Sequence, residues 1–273
     1  MPTHQDDATL TFIKRQDTKP YFNSSALTGG EAEIFFETEN HAVPVIDMRR
    51  PDNTPSLDVE GFELLRSDTA VTDLYDDDAI DTVYAEEIKA LLSERFGASA
   101  VHIFDVTRRA DSDTGAPNRD GLRGPAGRVH VDYTVKSGPQ RSRDVLGDEE
   151  AQRLFDADAH IVQVNVWRPI SGPVKRSPLA LADASSVKPD ELIATDQIFP
   201  DRVGEIYNVA HADTQRWYYA PDMTRDEVLL IKGWDSIDDG RARFSPHSAF
   251  LLANSDTAPP RESIEVRTLV IIE

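Results

Sequence analysis

The chain has 273 residues, a formal net charge of −20 and no cysteine. The missing cysteines exclude thiol nucleophiles, disulfides and Cys-ligated zinc, and the acidity argues against a nucleic-acid partner or an anionic membrane surface. The polar opening MPTHQDDATLTF, and the lack of a run of about 20 apolar residues, predict an intracellular, cytoplasmic protein.

Residues 1–98 predict an N-terminal extension of strands and loops that ends in one helix. Short β-like pieces such as ATLTFI, AEIFFE and AVPVIDM alternate with proline and glycine breaks in residues 1–75. The next stretch, 76–98, begins with acidic residues, carries apolar residues at spacings of three and four, and has a glycine near its end. This is the pattern of an amphipathic helix that packs against a sheet.

From residue 99 to residue 273 the sequence is rich in β-like segments, including AVHIFDVT, HIVQVNVWRPI, EVLLIKGWDS and SIEVRTLVII. A series of such segments predicts a mostly β antiparallel barrel or sandwich, and we expect residues 1–273 to form a single domain. The glycine-rich stretch 109–127 is long enough to serve as a lid over a substrate, although such loops are also binding loops or disordered segments.

The motif RVHVDYT places His130 and Asp132 on one face of a predicted strand, because alternate residues of a strand project to the same side. A later histidine, His247 in SPHSAF, could complete a set of two histidines and one carboxylate. That set binds Fe(II) and leaves coordination positions open. The alternatives are an exposed polar strand face for the first pair and a carbonyl-bonded histidine for His247.

Two arginines follow His247, Arg261 ahead of the last predicted strand and Arg267 within it. The planar fork of a guanidinium matches a carboxylate such as the distal one of 2-oxoglutarate. Arg261 is slightly favoured by its spacing. The alternative for either arginine is an ion pair with a neighbouring glutamate, Glu262 or Glu265.

The segment NVWRPI supplies further candidates for the site. Strand alternation puts Asn165 and Trp167 on one face and Arg168 on the other. Asn165 and Arg168 are candidates for contact with a co-substrate. Trp167, together with Trp217 and Tyr218 of RWYYAPDM, could line an apolar substrate pocket, and the alternative for these aromatic residues is core packing.

Together, the segments RVHVDYT, QVNVWRPI, PLALAD, RWYYAPDM, LLIKGWDS, SPHSAF and PRESIEVR resemble the Fe(II)/2-oxoglutarate-dependent hydroxylase/desaturase family. That family includes gibberellin desaturase-like, AsaB-like and meroterpenoid endoperoxide-forming enzymes and a cephamycin 7α-hydroxylase component. The resemblance covers nearly the whole chain. It departs from the family at FDVTRR, where relatives often carry a histidine after the aspartate.

The resemblance implies a double-stranded β-helix (jelly-roll, cupin-like) core with flanking helices and an N-terminal strand and loop extension over 1–98. It implies a dioxygenase that uses Fe(II), 2-oxoglutarate and O₂ to oxidise a small, often secondary-metabolite, substrate. His130, Asp132 and His247 then match the iron ligands, and Arg261 or Arg267 the residue that binds 2-oxoglutarate. A pocket lined by Trp217, Tyr218 and the 109–127 stretch would in addition favour a hydrophobic polycyclic or lactone-like substrate over a charged metabolite.

Two other classes of function remain open at the level of sequence. A metal-dependent hydrolase could use the same histidines and carboxylate with zinc. A non-catalytic subunit of a heteromeric oxygenase could keep the fold without its chemistry. A homodimer or a heterodimer is compatible with either possibility.

Overall fold

The computed structural model describes residues 6–29, 32–50, 54–119, 121–252, 255 and 257–273. Its N-terminal strands are β1 (Asp6–Ile13), β2 (Tyr21–Asn23), β3 (Glu33–Ile34), β4 (Thr38–Asp47), β5 (Phe62–Arg66), β6 (Ala100–Ala110), β7 (Ala116–Asn118), β8 (Gly121–Arg123) and β9 (His130–Val131). The later strands are β10 (His160–Pro169), β11 (Leu179–Ala182), β12 (Leu192–Ile198), β13 (Val203–Val209), β14 (Trp217–Tyr219), β15 (Glu227–Asp235), β16 (His247–Ala249) and β17 (Glu262–Ile272).

Two sheets carry most of these strands. The large sheet has the order β1-β4-β14-β11-β16-β9-β13-β12-β2-β3, and the small sheet has the order β5-β15-β10-β17-β6. The strands β7 and β8 form a separate hairpin. Apolar side chains from both sheets, among them Trp167 and Leu229 of the small sheet and Leu181 and Tyr218 of the large one, pack into one cluster. The two sheets therefore face each other, and this mostly β jelly-roll architecture is the fold predicted from the sequence.

The N-terminal strands are part of the large sheet. β1 and β4 pair along their whole length, and β4 continues into the sheet through β14. The sheet also curls back on itself, because the amide of Val129 donates to the carbonyl of Thr11 in β1 at 2.9 Å. The first strand of the predicted N-terminal extension therefore lies directly beside the residue that precedes His130.

The predicted helix over 76–98 is confirmed as a continuous helical stretch made of α2 (Asp77–Ala79), a π-helical turn (Ile80–Tyr84) and α3 (Ala85–Phe96). It begins where the side chain of Asp76 accepts hydrogen bonds from the next turn, and it ends at Gly97, whose φ of 62° suits glycine. Buried residues of this stretch, including Ile88 and Leu92, pack on the outer face of the small sheet.

Five shorter helices of the described residues were not predicted individually. Three are α-helices, α1 (Ser25–Thr28), α4 (Ser137–Leu146) and α5 (Asp148–Asp156), and two are 3₁₀ helices, Ala184–Ser186 and Pro189–Glu191. The helix α4 begins against the small sheet, where a Cβ on Gly138 would lie 2.4 Å from the Trp234 ring. No helix in the described ranges is both long enough and apolar enough to span a bilayer.

Candidate metal centre

The two histidines of the predicted triad meet because their strands are neighbours. β16 and β9 are antiparallel partners in the large sheet, and His247 lies directly opposite His130 in their register. Cross-strand partners project to the same face. Asp132 follows β9 directly and projects to the same side as His130, toward the small sheet. The strand is shorter than RVHVDYT suggested, but the convergence expected from its alternation is present.

The ligand atoms of these three residues lie close enough to share one ion. One nitrogen or oxygen from each of His130, Asp132 and His247 lies within 4.8 Å of the others. The imidazole centroids are 4.5 Å apart, and His130 Nε2 is 3.6 Å from Asp132 Oδ1. Ligand bonds near 2 Å to a common metal fit these separations.

Hydrogen bonds fix which nitrogen of each histidine is free. His130 Nδ1 donates to the carbonyl of Arg128 at 2.8 Å, and His247 Nδ1 donates to the carbonyl of Ser245 at 3.0 Å. Since a carbonyl only accepts, each ring carries a hydrogen on Nδ1, and Nε2 is the nitrogen that the neutral ring offers to a metal. Burial and the neighbouring His130 lower the pKa of His247, which keeps this ring neutral and able to bind a metal.

One oxygen of Asp132 is held by the small sheet. Asn165 Nδ2 donates to Asp132 Oδ2 at 2.6 Å, and Arg267 Nε approaches the same oxygen at 3.4 Å. Burial alone would raise the pKa of Asp132, but the charge of Arg267 holds it well below its usual value. The carboxylate is therefore ionised, and its Oδ1 is left for a ligand.

The guanidinium of Arg267 is occupied by carboxylates. Besides Asp132, it contacts Asp105 at 2.7 Å and Glu265 at 2.7 Å. These acidic neighbours hold the pKa of Arg267 well above its usual value, although burial opposes them. The ion pair with Glu265 is the alternative to co-substrate binding that the sequence left open for Arg267. Arg267 consequently has no free edge for a co-substrate carboxylate.

Arg261 has the opposite character. Its side chain is 2 % exposed and makes a single hydrogen bond, from Nη1 to the carbonyl of Ser177 at 2.7 Å. Its Nε and Nη2 have no partner among the described residues. Burial, with the nearby charge of Arg109, lowers the pKa of Arg261 to about 10. A buried cation with two unpaired donors is costly unless an anion binds it.

Arg168 does not reach the cluster. As strand alternation predicted, it projects from the opposite face of β10, where its guanidinium donates to the Tyr84 hydroxyl at 2.9 Å and to the carbonyls of Ser67 and Arg225. The fully buried side chain thus holds the helical stretch against the small sheet. The expectation that Arg168 contacts the co-substrate is wrong for this reason.

The three aromatic candidates separate in the structure. Trp167 borders the small cavity that also contains His130, His247 and Arg261, and the Arg261 guanidinium lies 5.6 Å from its ring centroid. Tyr218 shares the inner face of the large sheet, since both it and His247 pair with Leu181, but it packs in the core between the sheets.

Trp217 lies on the other face of the large sheet. It packs there with Phe12, at a ring-centroid distance of 5.8 Å, within a cluster that also includes Val45 and Phe250. Adjacent residues of a strand project to opposite sides, so Trp217 cannot share the face of Tyr218. The expectation that Trp217 lines the substrate pocket is wrong, and its core alternative applies.

Sequence reasoning missed some residues of this cavity. Arg109, Ala126 and Leu179 also border it. Arg109 pairs with Ser263 in the register of β6 and β17, and Ser263 lies on the same face of β17 as Glu265 and Arg267. A prediction that β6 pairs with β17 would therefore have placed Arg109 beside the cavity. Its Nη1 donates to the carbonyl of Gly124 at 2.9 Å, and burial lowers its pKa.

The stretch considered as a lid is partly ordered by strands. Its first residues continue β6, and the hairpin of β7 and β8 follows. Arg119, in this hairpin, approaches Asp77 at 3.4 Å and Asp81 at 2.6 Å, which ties it to the start of the helical stretch. Residue 120 lies outside the described residues. Ala126, near the C-terminal end of the stretch, reaches the cavity.

The donor set fits an Fe(II) ion with an exchangeable ligand. Three protein donors converge, two imidazole nitrogens and one carboxylate oxygen, which leaves half of an octahedral shell open. The unpaired nitrogens of Arg261 lie in the same cavity. A larger groove of about 660 Å³ lies across the small sheet, between the helical stretch and α4, and contains none of these residues. The set of donor atoms, and not the volume of a cavity, identifies the candidate metal centre.

Comparison with known proteins points in the same direction. A family model described as an oxidoreductase/YMDC permease-like domain matches residues 10–271. The hydroxylase/desaturase efuI of Hormonema carpetanum is 36 % identical over 268 residues, which cover 90 % of this chain and 88 % of efuI. The alpha-ketoglutarate-dependent dioxygenase phiK of a fungal species is 31 % identical over 266 residues, 92 % of each chain.

The fold comparison agrees with the sequence comparison. The solved structure of the iron and alpha-ketoglutarate-dependent endoperoxidase NvfI superposes with a TM-score of 0.84 and 27 % sequence identity. The superposition covers 99 % of this chain and 98 % of NvfI. Both sheets and the N-terminal strands are therefore included in the likeness.

Proposed function

The chain belongs to the Fe(II)/2-oxoglutarate-dependent hydroxylase/desaturase family, and from this premise we propose that His130, Asp132 and His247 hold its iron. The protein is a dioxygenase that uses Fe(II), 2-oxoglutarate and O₂ on a small-molecule substrate. The observation that carries the ligand assignment is the convergence of one nitrogen or oxygen from each of these three residues within 4.8 Å.

Bound Fe(II) supplies the activation of O₂, in which 2-oxoglutarate is decarboxylated to succinate and CO₂ and a C–H bond of the substrate is oxidised. The residues of this chain bind and orient the reactants. The hydrogen bonds at both Nδ1 atoms hold the histidine rings in one orientation. Asn165 and Arg267 hold the Asp132 carboxylate so that it presents one oxygen.

We assign the distal carboxylate of 2-oxoglutarate to Arg261. Its unpaired Nε and Nη2 can form the two parallel hydrogen bonds that a carboxylate accepts. The Trp167 ring beside the guanidinium then forms a wall of the co-substrate pocket and limits the access of water. Arg267 is a positioning residue in this assignment, because its partners are the acidic side chains around it.

We further propose that residues 1–273 form one oxygenase domain. The strands β1 and β4 belong to the same sheet as β9 and β16, and β1 bonds directly to the residue before His130. Removal of the N-terminal strands is therefore expected to disturb the metal centre as well as the sheet edge.

For the assembly, we propose that one chain holds a complete metal centre, because all the residues named for it lie within this chain. A homodimer or a heterodimer would then add stability or substrate contacts and would not complete the ligand set. Light scattering of the purified protein distinguishes these states. A cytoplasmic location is part of the same proposal, and a fluorescent fusion tests it.

The experiment is an assay of succinate formed from 2-oxoglutarate, with Fe(II) added to metal-free protein. We expect succinate to depend on both Fe(II) and 2-oxoglutarate, and to disappear in the His130→Ala and His247→Ala proteins. A hydrolase with the same ligands would instead act on its substrate without 2-oxoglutarate and with zinc. Succinate formation at the wild-type rate in either alanine variant would contradict the ligand assignment.

A further inference from the structure

Arg128 lies just before the metal centre and takes no part in the interactions described above beyond its carbonyl. It precedes His130 by two residues, and its carbonyl accepts the hydrogen bond from His130 Nδ1. It forms a bridge with Thr11 of β1, so its backbone is part of the curled sheet. Residues two apart in extended chain project to the same side, with Cα atoms roughly 7 Å apart.

The surroundings of the guanidinium confirm that direction. Its carbon lies 5.6 Å from the ring centroid of Phe22 and 5.5 Å from that of Phe36. Phe22 is on the His130 face of the large sheet. Residues that pair across neighbouring strands project to the same face. His130 pairs with Asn208 in β13, and Gly204, which lies on the same face of β13 as Asn208, pairs with Gln197 of β12. Gln197 in turn pairs with Phe22 of β2.

The charge of Arg128 has no partner among the described residues. Its side chain makes no hydrogen bond and no ion pair there, whereas Arg49 contacts Glu227 and Arg216 contacts Asp183. The carboxylates raise the pKa of both of those arginines. Burial lowers the pKa of Arg128. The phenyl faces attract the cation but offer its N–H groups no acceptor, and no other described side chain or carbonyl bonds to them.

The face that leads from Arg128 to the metal centre is only partly covered, and it carries apolar side chains among the polar Asn208, Thr195 and Gln197. Ile193 and Ile206 lie on it, by the same register that places Phe22 there, and both are half-buried. Together with Phe22 and Phe36 they offer an apolar surface. A ligand there could keep its body on these side chains and one oxyanion on the guanidinium.

We propose that Arg128 binds an anionic group, a carboxylate or a comparable oxyanion, of an otherwise apolar substrate. This inference rests on the proposed function, since His130 must hold the iron for the substrate to be oxidised beside it. It narrows the expectation of a hydrophobic substrate to an apolar molecule with one negative charge. The bound anion would lie roughly 10 Å from the iron, given the strand spacing and the length of an arginine side chain.

The test uses two fluorescent probes of similar shape, anionic 8-anilinonaphthalene-1-sulfonate and neutral N-phenyl-1-naphthylamine. Both are titrated anaerobically into the complex with Fe(II) and 2-oxoglutarate, with wild-type protein and with the Arg128→Gln protein. Loss of a charge-assisted contact should weaken binding of the anionic probe about tenfold and leave the neutral probe unchanged. The Arg128→Lys protein should retain part of the affinity, because it keeps the charge but not the planar fork.

The matched control is Arg202→Gln, which removes another arginine that lies over a phenyl ring, that of Phe199, but on an exposed hairpin. It should leave both probes unchanged. Equal affinity of wild-type and Arg128→Gln proteins for the anionic probe, or an equal loss for both probes, would overturn the proposal. The visible absorption of the Fe(II) and 2-oxoglutarate complex is recorded in the same samples. Its absence from the wild-type protein would overturn the proposed function and with it this inference.

Discussion

Two buried clusters in the described part of the chain combine histidine, aspartate and a cation, and only one of them has free ligand atoms. In the first, Asp132 lies among His130, His247 and Arg267. In the second, Asp235 contacts Lys232 at 2.8 Å and His160 Nε2 at 2.8 Å. Composition and burial alone would not tell these clusters apart.

The difference lies in how many atoms are already bonded. Asp235 Oδ2 accepts from Lys232, and Oδ1 accepts from His160 and from the amide of Ile237. Asp132 has only Oδ2 engaged by hydrogen bonds from the small sheet, and its Oδ1 lies 3.6 Å from His130 Nε2 in the group of three converging ligand atoms. A fully bonded cluster stabilises the fold, whereas a half-bonded one is prepared for a ligand.

The arginines repeat this contrast. Arg168 and Arg261 are both almost completely buried. All three nitrogens of Arg168 donate hydrogen bonds, to two hydroxyls and to two backbone carbonyls. Arg261 has one bonded nitrogen and two unpaired ones. Arg168 is therefore expected to stabilise the fold, and Arg261 is expected to bind the carboxylate of 2-oxoglutarate.

The largest expected effect follows from Asp132→Ala. Removal of a ligand should lower succinate formation by more than about 100-fold, because even outer partners of metal ligands matter by 10–100-fold. The free energy of unfolding should change little. The matched control is Asp105→Ala, which removes another carboxylate partner of Arg267 and should keep most of the activity. Comparable losses in the two proteins would show that Asp132 acts only through Arg267.

Asp235→Asn should have the converse effect on the second cluster. It leaves Lys232 buried with only the exposed Asp58 nearby, and the free energy of unfolding should fall by about 3 kcal/mol. Urea denaturation measures this change. Iron binding by the folded protein should stay within a few-fold of wild type. A variant as stable as wild type, but unable to bind iron, would reverse the roles assigned to the two clusters.

Arg261→Ala should raise the KM for 2-oxoglutarate by about 30-fold or more, the equivalent of losing a buried charge pair worth about 2–5 kcal/mol. The effect on kcat should be smaller, because the contact is present in both ground and transition states. Arg168→Ala should leave this KM within a few-fold while it destabilises the protein. If Arg267→Ala raises the KM and Arg261→Ala does not, the assignment of the anchor is wrong.

A smaller effect is expected at Asn165. Asn165→Ala removes the donor to Asp132 Oδ2 and should weaken iron binding by about tenfold, as measured by competition with a chelator. Gln163→Ala is the matched control. This buried amide also lies on the inner face of β10, but it donates to the carbonyl of Gly138. Equal iron affinities in the two variants would show that Asp132 needs no support from Asn165.

Much of the centre could be predicted from sequence because it depends on strand alternation. That rule placed His130 with Asp132 and Asn165 with Trp167, and separated Arg168 from them. It could not separate Trp217 from Tyr218 as pocket or core, because either face of a buried strand is apolar. Nor could it choose between Arg261 and Arg267, which share a face and differ only in the neighbours that tertiary structure brings.

The position of α4 and the orientation of Arg109 could not be predicted from the sequence, because both depend on contacts between residues that are distant along the chain. α4 contains Gly138 and Pro139, and its only other apolar residues are Val145 and Leu146 at its end, so neither propensity nor periodicity indicates a helix. Its position is fixed by the contact of Gly138 with Trp234, which is distant in sequence. The sequence predicts that Arg109 begins a loop. In the structure Arg109 lies in β6, and only the pairing of β6 with β17 shows that it faces the cavity.

The most direct test of the central claim is an anaerobic titration of the metal-free protein with Fe(II) in the presence of 2-oxoglutarate. The account predicts a weak visible charge-transfer band that saturates at one iron per chain, because His130, Asp132 and His247 leave room for a bidentate keto acid. The Asp132→Ala protein should lack the band, and the Asp235→Asn protein should retain it. No band in the wild-type protein, or a band of unchanged intensity and affinity in the Asp132→Ala protein, would contradict the assignment of the metal centre.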